Sequence, residues 1–154
     1  MTDHTPDDYE ALIRRYFDAC NAADLPGLMR CFTDDAVHYF PPGLPDIPWI
    51  GAETISRKWI WCVRNLGSQW TIERILVSHD KPEAMIEWTH WKNASGTAVR
   101  GAEWYVFRDG RISEIRAYYA AAADPAAPIN ELPGFDYPGR GYHLRSAGTA
   151  GTPA

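Results

Sequence analysis

The chain changes from helix-like to strand-like patterning near residue 70, and this change limits the folds it can adopt. Residues 7–21 place apolar side chains three and four positions apart, and a second such segment follows Gly51. From Trp70 onward, apolar segments at 70–78, 84–91, 99–107 and 111–119 are separated by short turn signals. Helices followed by consecutive strands predict an α+β fold with an antiparallel sheet and helices on one face.

Shorter signals divide the first half of the chain. Asp24 is expected to cap a second, short helix that has Pro26 near its start. Residues 33–35 predict an exposed turn, and residues 36–40 predict a short strand. The proline-rich residues 41–45 cannot join the interior of a sheet, so we expect a loop there.

Two titratable residues lie inside an aromatic hairpin formed by residues 84–91 and 99–107. The turn signal at residues 93–96 folds these segments together, which predicts that His90 lies close to Glu103, within about one register step. Burying such groups among tryptophans and tyrosines costs free energy. They are therefore expected either to form a structural pair or to carry out chemistry.

Composition limits the compartment and the partners. The net charge of −5 and the pI near 5.5 argue against nucleic-acid binding. The chain has no basic run for a membrane surface and no apolar stretch long enough to span one. Three widely spaced cysteines and a polar, acidic start without a signal peptide predict a cytoplasmic protein. No histidine spacing predicts a metal site.

The chain is long enough for one domain with a substantial core, which we place at residues 1–120. Residues 121–154 are rich in Ala, Pro and Gly and predict a C-terminal extension. Its middle part, residues 129–138, has apolar anchors and is expected to pack on the domain or on a neighbouring subunit. The last stretch, residues 146–154, predicts disorder.

Four short motifs carry a family resemblance: YFDACNAADL at 16–25, FTDDAV at 32–37, GAETI at 51–55 and DGRI at 109–112. With the order of elements, they resemble the NTF2-like superfamily, and within it the SnoaL-like polyketide cyclase and ketosteroid isomerase group. The resemblance covers about residues 7–120 and implies a curved antiparallel sheet that forms a cone-shaped pocket closed by the N-terminal helices. This fold hosts isomerases, cyclases, dehydratases, epoxide hydrolases and binding domains, so it marks function weakly.

The resemblance also implies roles for individual residues. Tyr16 matches the oxyanion-hole tyrosine of the isomerases, and Glu103 matches their sheet aspartate, a carboxylic acid kept neutral by apolar surroundings. Phe40 stands where those isomerases have their catalytic base, so the steroid isomerase reaction itself is not expected. SnoaL-like cyclases are similar in using a histidine and a carboxylate, which makes His90 the expected base.

Strand alternation puts Trp88 and His90 on one face of their strand, and Glu103 and Tyr105 on one face of the next. Glu103 could orient the His90 imidazole for proton abstraction, or it could stay protonated and donate to an enolate together with Tyr16. Alternatively, His90 and Glu103 form a structural pair or face a subunit interface. His38 is expected to be either a second acid or base or a structural residue. The pocket wall is expected to be formed by aromatic residues that could also be ordinary core: Phe40, Trp59, Trp88, Tyr105 and Tyr119.

The sequence therefore predicts a cofactor-free acid–base enzyme: a cyclase, isomerase or dehydratase (lyase) acting on a small hydrophobic molecule with a carbonyl or enol group. The alternatives are an epoxide hydrolase of the same fold and a non-catalytic module that binds a small ligand. A homodimer through the outer sheet face is expected because the strand around Trp104 is apolar on both faces.

Overall fold

The computed structural model describes residues 4–120 and 135–147, and this part of the chain contains three helices and one six-stranded sheet. The helices are α1 (Pro6–Asn21), α2 (Leu25–Cys31) and α3 (Ala52–Leu66). The strands are β1 (Phe32–Tyr39), β2 (Trp49–Ile50), β3 (Ser68–Val77), β4 (Glu83–Lys92), β5 (Thr97–Arg108) and β6 (Arg111–Tyr119).

Local capping explains where the helices begin and end. The Thr5 side chain accepts a hydrogen bond from the Asp8 backbone while Asp8 accepts from Thr5, which satisfies free donors at the start of α1. Asp24 accepts from the Gly27 backbone and caps α2, as the sequence predicted. Helix α3 ends at Leu66 and is followed by Gly67, whose φ of 62° is a conformation that favours glycine.

The sheet is open, and its strand order is β2-β1-β6-β5-β4-β3. The predicted antiparallel pairing holds for β1–β2, β3–β4, β4–β5 and β5–β6. It is wrong for β1 and β6, which run parallel. The chain leaves β1 for the opposite edge of the sheet through β2 and α3, and the β3–β6 meander then brings β6 back beside β1 in the same direction.

The predicted turn at residues 33–35 is also wrong, because these residues lie within β1. The register between β1 and β6 shifts between Phe32 and Val37, which leaves the two aspartates exposed at an irregular part of the strand. Asp35 pairs with Arg108, and Asp34 lies 3.8 Å from Arg111, both on the neighbouring hairpin. These ion pairs with the hairpin allow residues 33–35 to stay in a strand, although their polar sequence by itself favours a turn.

The helices cover one face of the sheet, which we call the inner face. Apolar residues of α1, α2 and α3 pack there against alternate residues of the strands, and the fully buried members include Ile13, Leu28, Phe32, Ile55, Ile86, Ile112 and Ile115. None of the described helices is long and apolar enough to cross a membrane.

The opposite, outer face is partly covered by residues 135–147, with Tyr137 buried against it. Most of the predicted packed segment, residues 129–138, lies outside the described residues, and so does most of the predicted disordered end. Leu76, Met85, Trp104 and Tyr118 remain exposed on this face. The homodimer through this face stays a prediction.

Candidate active site

A cavity of about 550 Å³ opens between α3, the loop after β1 and the inner face of the sheet. This volume is in the range of pockets that bind small organic molecules. The walls are mostly apolar: Phe40, Leu44, Pro45, Trp49, Trp59, Trp61, Leu66, Trp70, Trp88, Val99, Ala117 and Tyr119. The polar lining residues are Arg57, Lys58, Cys62, His90, Lys92 and Glu103.

Aromatic rings in mutual contact form a continuous wall of this cavity. The ring centroids of Phe40 and Trp49 are 4.4 Å apart, those of Trp49 and Trp59 are 4.9 Å apart, and those of Trp59 and Trp70 are 5.1 Å apart. The first contact is tilted and the other two are edge-to-face, and such aromatic packing fixes ring positions. The wall is therefore expected to be preformed and selective for flat, apolar ligands.

Trp88 reaches the wall because of Gly101 on the next strand. A Cβ atom at residue 101 would lie 2.8 Å from Cζ2 of Trp88 and 2.8 Å from the Tyr119 Cβ, which is closer than real side chains approach. Glycine thus leaves the space into which the indole of Trp88 packs.

Glu103 is the acidic residue of the cavity lining, and it is buried on β5. Its Oε2 accepts a hydrogen bond of 2.6 Å from the hydroxyl of Tyr105, two residues further along the same face. Its Oε1 lies 3.6 Å from Nε2 of His38, a distance too long for a hydrogen bond but short enough for strong electrostatic coupling. The carboxyl is thus held on one side and faces a histidine on the other.

The His38 ring is fully buried on β1 and stacks on Phe40, with 4.0 Å between ring centroids. Its Nδ1 lies 3.3 Å from the Tyr39 carbonyl oxygen, so we assign the Nδ1 proton to that contact. In the neutral ring, the lone pair of Nε2 then faces Glu103, and only a second proton turns this contact into an ion pair.

The predicted His90–Glu103 pair does not form. Lys92 pairs with Thr97 at the turn, which places His90 opposite Val99, whereas Glu103 lies opposite Ile86. Ile86 and His90 are four residues apart, so the two strand positions are separated by about 13 Å. Both side chains line the same cavity, but at different ends of it.

His90 is bound to a residue that the sequence did not single out. Its Nε2 lies 2.7 Å from Oγ of Ser68, and its ring stacks on Trp70 with 4.5 Å between centroids. Ser68 is fully buried at the start of β3. Because Nε2 is occupied by this hydroxyl, Nδ1 is the nitrogen left to contact a ligand.

Burial, together with the smaller effect of the positive charge of Lys92, lowers the pKa of His90 to about 3. The ring is therefore neutral at pH 7. Its folded-state pKa lies below the unfolded value of about 6.5, so the unfolded chain binds the proton first as the pH falls. The His90 contribution opposes folding progressively as the pH decreases from about 6.5 towards 3.

An NMR titration checks this assignment. We expect the imidazole nitrogen and carbon shifts of His90 to stay those of a neutral ring from pH 8 down to about pH 5, because burial disfavours the charged form. A spectrum of His90→Gln identifies the signals. A His90 midpoint between pH 6 and 7 would contradict the description of this ring as buried and neutral.

Tyr16 and Tyr105 do not line the cavity, although both were predicted to face it. Tyr16 is buried in the core, where its ring packs edge-on against Phe17, Phe32 and Tyr105. Burial raises the pKa of Tyr16 well above its ordinary value, and the Cys20 thiol and Glu103 add to this effect. Tyr105 supports Glu103 from behind instead of forming the wall.

The cavity is lined by six of the predicted residues: Phe40, Trp59, Trp88, His90, Glu103 and Tyr119. His38 lies behind Phe40 and reaches Glu103 from there. Twelve lining residues were not predicted, among them Trp49, Trp70, Lys58 and Lys92. Strand alternation with Trp88 and His90 gave a signal for Lys92, whereas nothing in the sequence pointed to Ser68.

Comparison with known proteins decides the family. The model of the SnoaL-like domain matches residues 13–115, about two thirds of the chain. The chain belongs to the SnoaL-like family. No curated protein gives a significant match to this SnoaL-like chain.

Solved structures agree with this assignment. A protein of unknown function with a cystatin-like fold from Methylobium petroleophilum PM1 is 40% identical, with a TM-score of 0.74, and the match covers 96% of this chain and 98% of that one. A proposed ketosteroid isomerase from Kribbella flavida is 18% identical, with a TM-score of 0.64 and coverage of 82% and 91%.

A proposed polyketide cyclase from Sinorhizobium meliloti is 21% identical, with a TM-score of 0.61 and coverage of 75% and 100%. At these low identities the isomerase and the cyclase share the fold with the SnoaL-like chain. These two matches show a shared fold alone, so the chemistry of this member has to be argued from its own cavity.

Proposed function

We propose that this SnoaL-like protein is an acid–base enzyme that needs no cofactor. It moves a proton on a hydrophobic carbonyl or enol compound, as an isomerase, cyclase or dehydratase (lyase) does. One observation carries the proposal: the carboxyl of Glu103 is buried on the wall of an apolar cavity, held by Tyr105 and coupled to His38. A ligand-binding module needs no such carboxyl.

Glu103 is the group we assign to proton transfer. Its Oε2 is fixed by the Tyr105 hydroxyl, which leaves Oε1 to face both the cavity and His38. As a carboxylate, Glu103 takes a proton from the carbon next to the substrate carbonyl and returns it to another atom of the same substrate. His38 positions Glu103 from behind Phe40, where it does not touch the substrate.

His90 receives a different role from the one first expected. A ring whose pKa is about 3 has little tendency to remove a proton from carbon. A neutral imidazole can nevertheless donate from Nδ1 when Ser68 donates to Nε2, and it then binds a substrate oxygen. Since the Glu103 and His90 positions are about 13 Å apart along the strands, one extended molecule can contact both.

Deuterium exchange tests the reaction class without knowledge of the natural substrate. The wild-type protein should accelerate exchange of the α-hydrogens of cyclic ketones such as 2-tetralone in D₂O, followed by proton NMR. Naphthalene, which has no exchangeable α-hydrogen, should bind the same aromatic cavity and inhibit this exchange. Saturable quenching of tryptophan fluorescence by several such ketones, without any accelerated exchange, would favour a binding module and refute the proposal.

A further inference from the structure

The mouth of the cavity carries positive charge although the whole chain is acidic. The net charge is −5, and the chain contains three lysines: Lys58, Lys81 and Lys92. Lys58 and Lys92 both line the cavity, together with Arg57. The acidic residue of the described lining, Glu103, lies deep inside it. Cations are thus concentrated where a ligand enters.

These cations differ in how far they are already neutralised. Arg57 makes a 2.8 Å ion pair with Glu53 on the exposed surface of α3. Lys58 lies 3.7 Å from Asp46, whose side chain is 83% exposed, and its ammonium also lies 5.3 Å from the centre of the Trp49 ring. Such an exposed, long contact holds Lys58 only weakly.

Lys92 has no carboxylate within 4.0 Å in the described part of the chain, and it is only half exposed. It follows His90 by two residues on β4, so both side chains point to the inner face. Lys92, Lys58 and the α3 residue Cys62 line the same cavity. Burial raises the pKa of Cys62 to about 11, although the charges of the two lysines act to lower it. A partly buried lysine that has no carboxylate partner among the described residues is a favourable site for an anion.

We propose that Lys92, assisted by Lys58, forms an anion subsite at the mouth, and that the substrate is a hydrophobic ring compound bearing a carboxylate or phosphate group. This inference rests on the proposed function, because it names the substrate class of the same cavity. The apolar rings enter the aromatic wall, while the anionic group stays with the lysines at the entrance.

The position of the subsite also gives the substrate a direction. Lys92 pairs with Thr97, six residues before Glu103 on β5, which corresponds to roughly 20 Å along the strand. An anion at Lys92 is therefore kept away from the carboxyl of Glu103, and like-charge repulsion disfavours the reversed orientation. The lysines thus present the uncharged end of the molecule to the acid–base group.

Matched ligands with and without charge test the subsite at equilibrium. Quenching of tryptophan fluorescence should show that the wild-type protein binds 2-naphthoate about tenfold more tightly than its neutral isostere 2-naphthamide. Lys92→Met should remove most of this preference, and Lys58→Met should reduce it. The affinity for 2-naphthamide should stay unchanged in both variants, which shows that the cavity is intact.

Lys81→Met is the matched control, because Lys81 is exposed on the turn before β4, at the opposite end of that strand from Lys92. It should leave the preference for 2-naphthoate unchanged. 2-Naphthyl phosphate distinguishes the two anions: tighter binding than 2-naphthoate indicates a phosphate-bearing substrate, and weaker binding indicates a carboxylic acid. Equal affinities for 2-naphthoate and 2-naphthamide, no saturable binding, or an unchanged preference in both lysine variants would overturn the subsite.

Glu103→Gln separates this inference from the proposed function. The preference for 2-naphthoate should persist in that variant, because the anion binds far from residue 103. Loss of the preference in Lys92→Met, combined with absent exchange activity in the wild-type protein, would support the subsite and refute the enzyme. Exchange activity in the wild-type protein without any preference for 2-naphthoate would support the enzyme and refute the subsite.

Discussion

Glu103→Gln should slow α-hydrogen exchange about 100-fold or more, with little change in ligand affinity. Glutamine has nearly the same size, and its amide oxygen can still accept the hydrogen bond that Tyr105 donates to Oε2. It cannot take up a proton, so the substitution removes the acid–base step without opening a hole in the aromatic wall. Proton NMR of 2-tetralone in D₂O gives the rate, and tryptophan fluorescence gives the affinity.

A matched carboxylate controls for the loss of charge. Glu114 lies on β6 next to Arg116, with 3.1 Å between Arg116 Nε and the carboxylate, and the two side chains are partly exposed and do not line the cavity. The Glu114→Gln variant should catalyse α-hydrogen exchange at the wild-type rate. Wild-type exchange in Glu103→Gln, at unchanged affinity, would remove Glu103 from the reaction.

His90→Gln provides the comparison between the two candidate bases. If His90 only binds a substrate oxygen, this variant should lose about tenfold in rate, much less than Glu103→Gln. The depressed pKa of His90, about 3, is the reason for expecting the smaller loss. A larger loss in His90→Gln than in Glu103→Gln would return the role of base to the histidine.

Local patterns were sufficient to predict the elements that build the site. The spacing of Tyr9, Ile13 and Tyr16 follows one helical stripe, and α1 does bury that side. Alternation also placed Trp88, His90 and Glu103 on one side of the sheet, and all three line the cavity. These features depend on residues close in sequence, where helix and strand periods act directly.

Contacts between distant segments could not be predicted in the same way. The His90–Glu103 pair failed because exact strand register depends on where the turn closes, and here the turn closes between Lys92 and Thr97. The parallel pairing of β1 with β6 brings His38 to Glu103, and no local period encodes that pairing. The contact between Ser68 and His90 could not be predicted either, because a single serine at the start of a strand forms no sequence pattern.

The outer face of the sheet holds a second polar cluster, in which the buried Glu73, Thr89 and Arg100 contact the exposed His143. Oε1 of Glu73 accepts from Thr89 at 2.8 Å and lies 3.3 Å from Arg100, while its Oε2 accepts from the backbone of His143 at 3.1 Å. Arg100 also donates to the His143 carbonyl oxygen at 2.8 Å. The cluster therefore ties residues 135–147 to β3, β4 and β5.

Hydrogen bonding outweighs burial in the titration of Glu73. Burial alone would raise its pKa, but bonds from His143 and Thr89 lower it on balance. A carboxyl whose folded pKa lies below its unfolded value stabilises the fold above that unfolded value, about 4.5. This contribution is lost as the pH falls through the folded value. The charged form of Glu73 is therefore the one that holds the C-terminal segment.

Arg100→Met should lower the free energy of unfolding by about 3–5 kcal/mol at pH 7. The side chains of Glu73 and Arg100 are only 1% and 6% exposed, so methionine leaves the Glu73 carboxylate buried without its cation. The loss of the donor to the His143 carbonyl should also release residues 135–147. Urea denaturation measures the first effect, and hydrogen–deuterium exchange of the C-terminal amides measures the second.

Arg116→Met is the matched control for this result. Arg116 pairs with Glu114 at 3.1 Å, but its side chain is 40% exposed, and such a pair contributes about 1 kcal/mol or less. Since both arginines lie on the outer face and both stack on aromatic rings, the comparison isolates burial of the ion pair. Equal losses in the two variants would mean that Glu73 is stabilised by Thr89 and His143 alone. Arg100 would then act on the C-terminal segment through stacking on Tyr137.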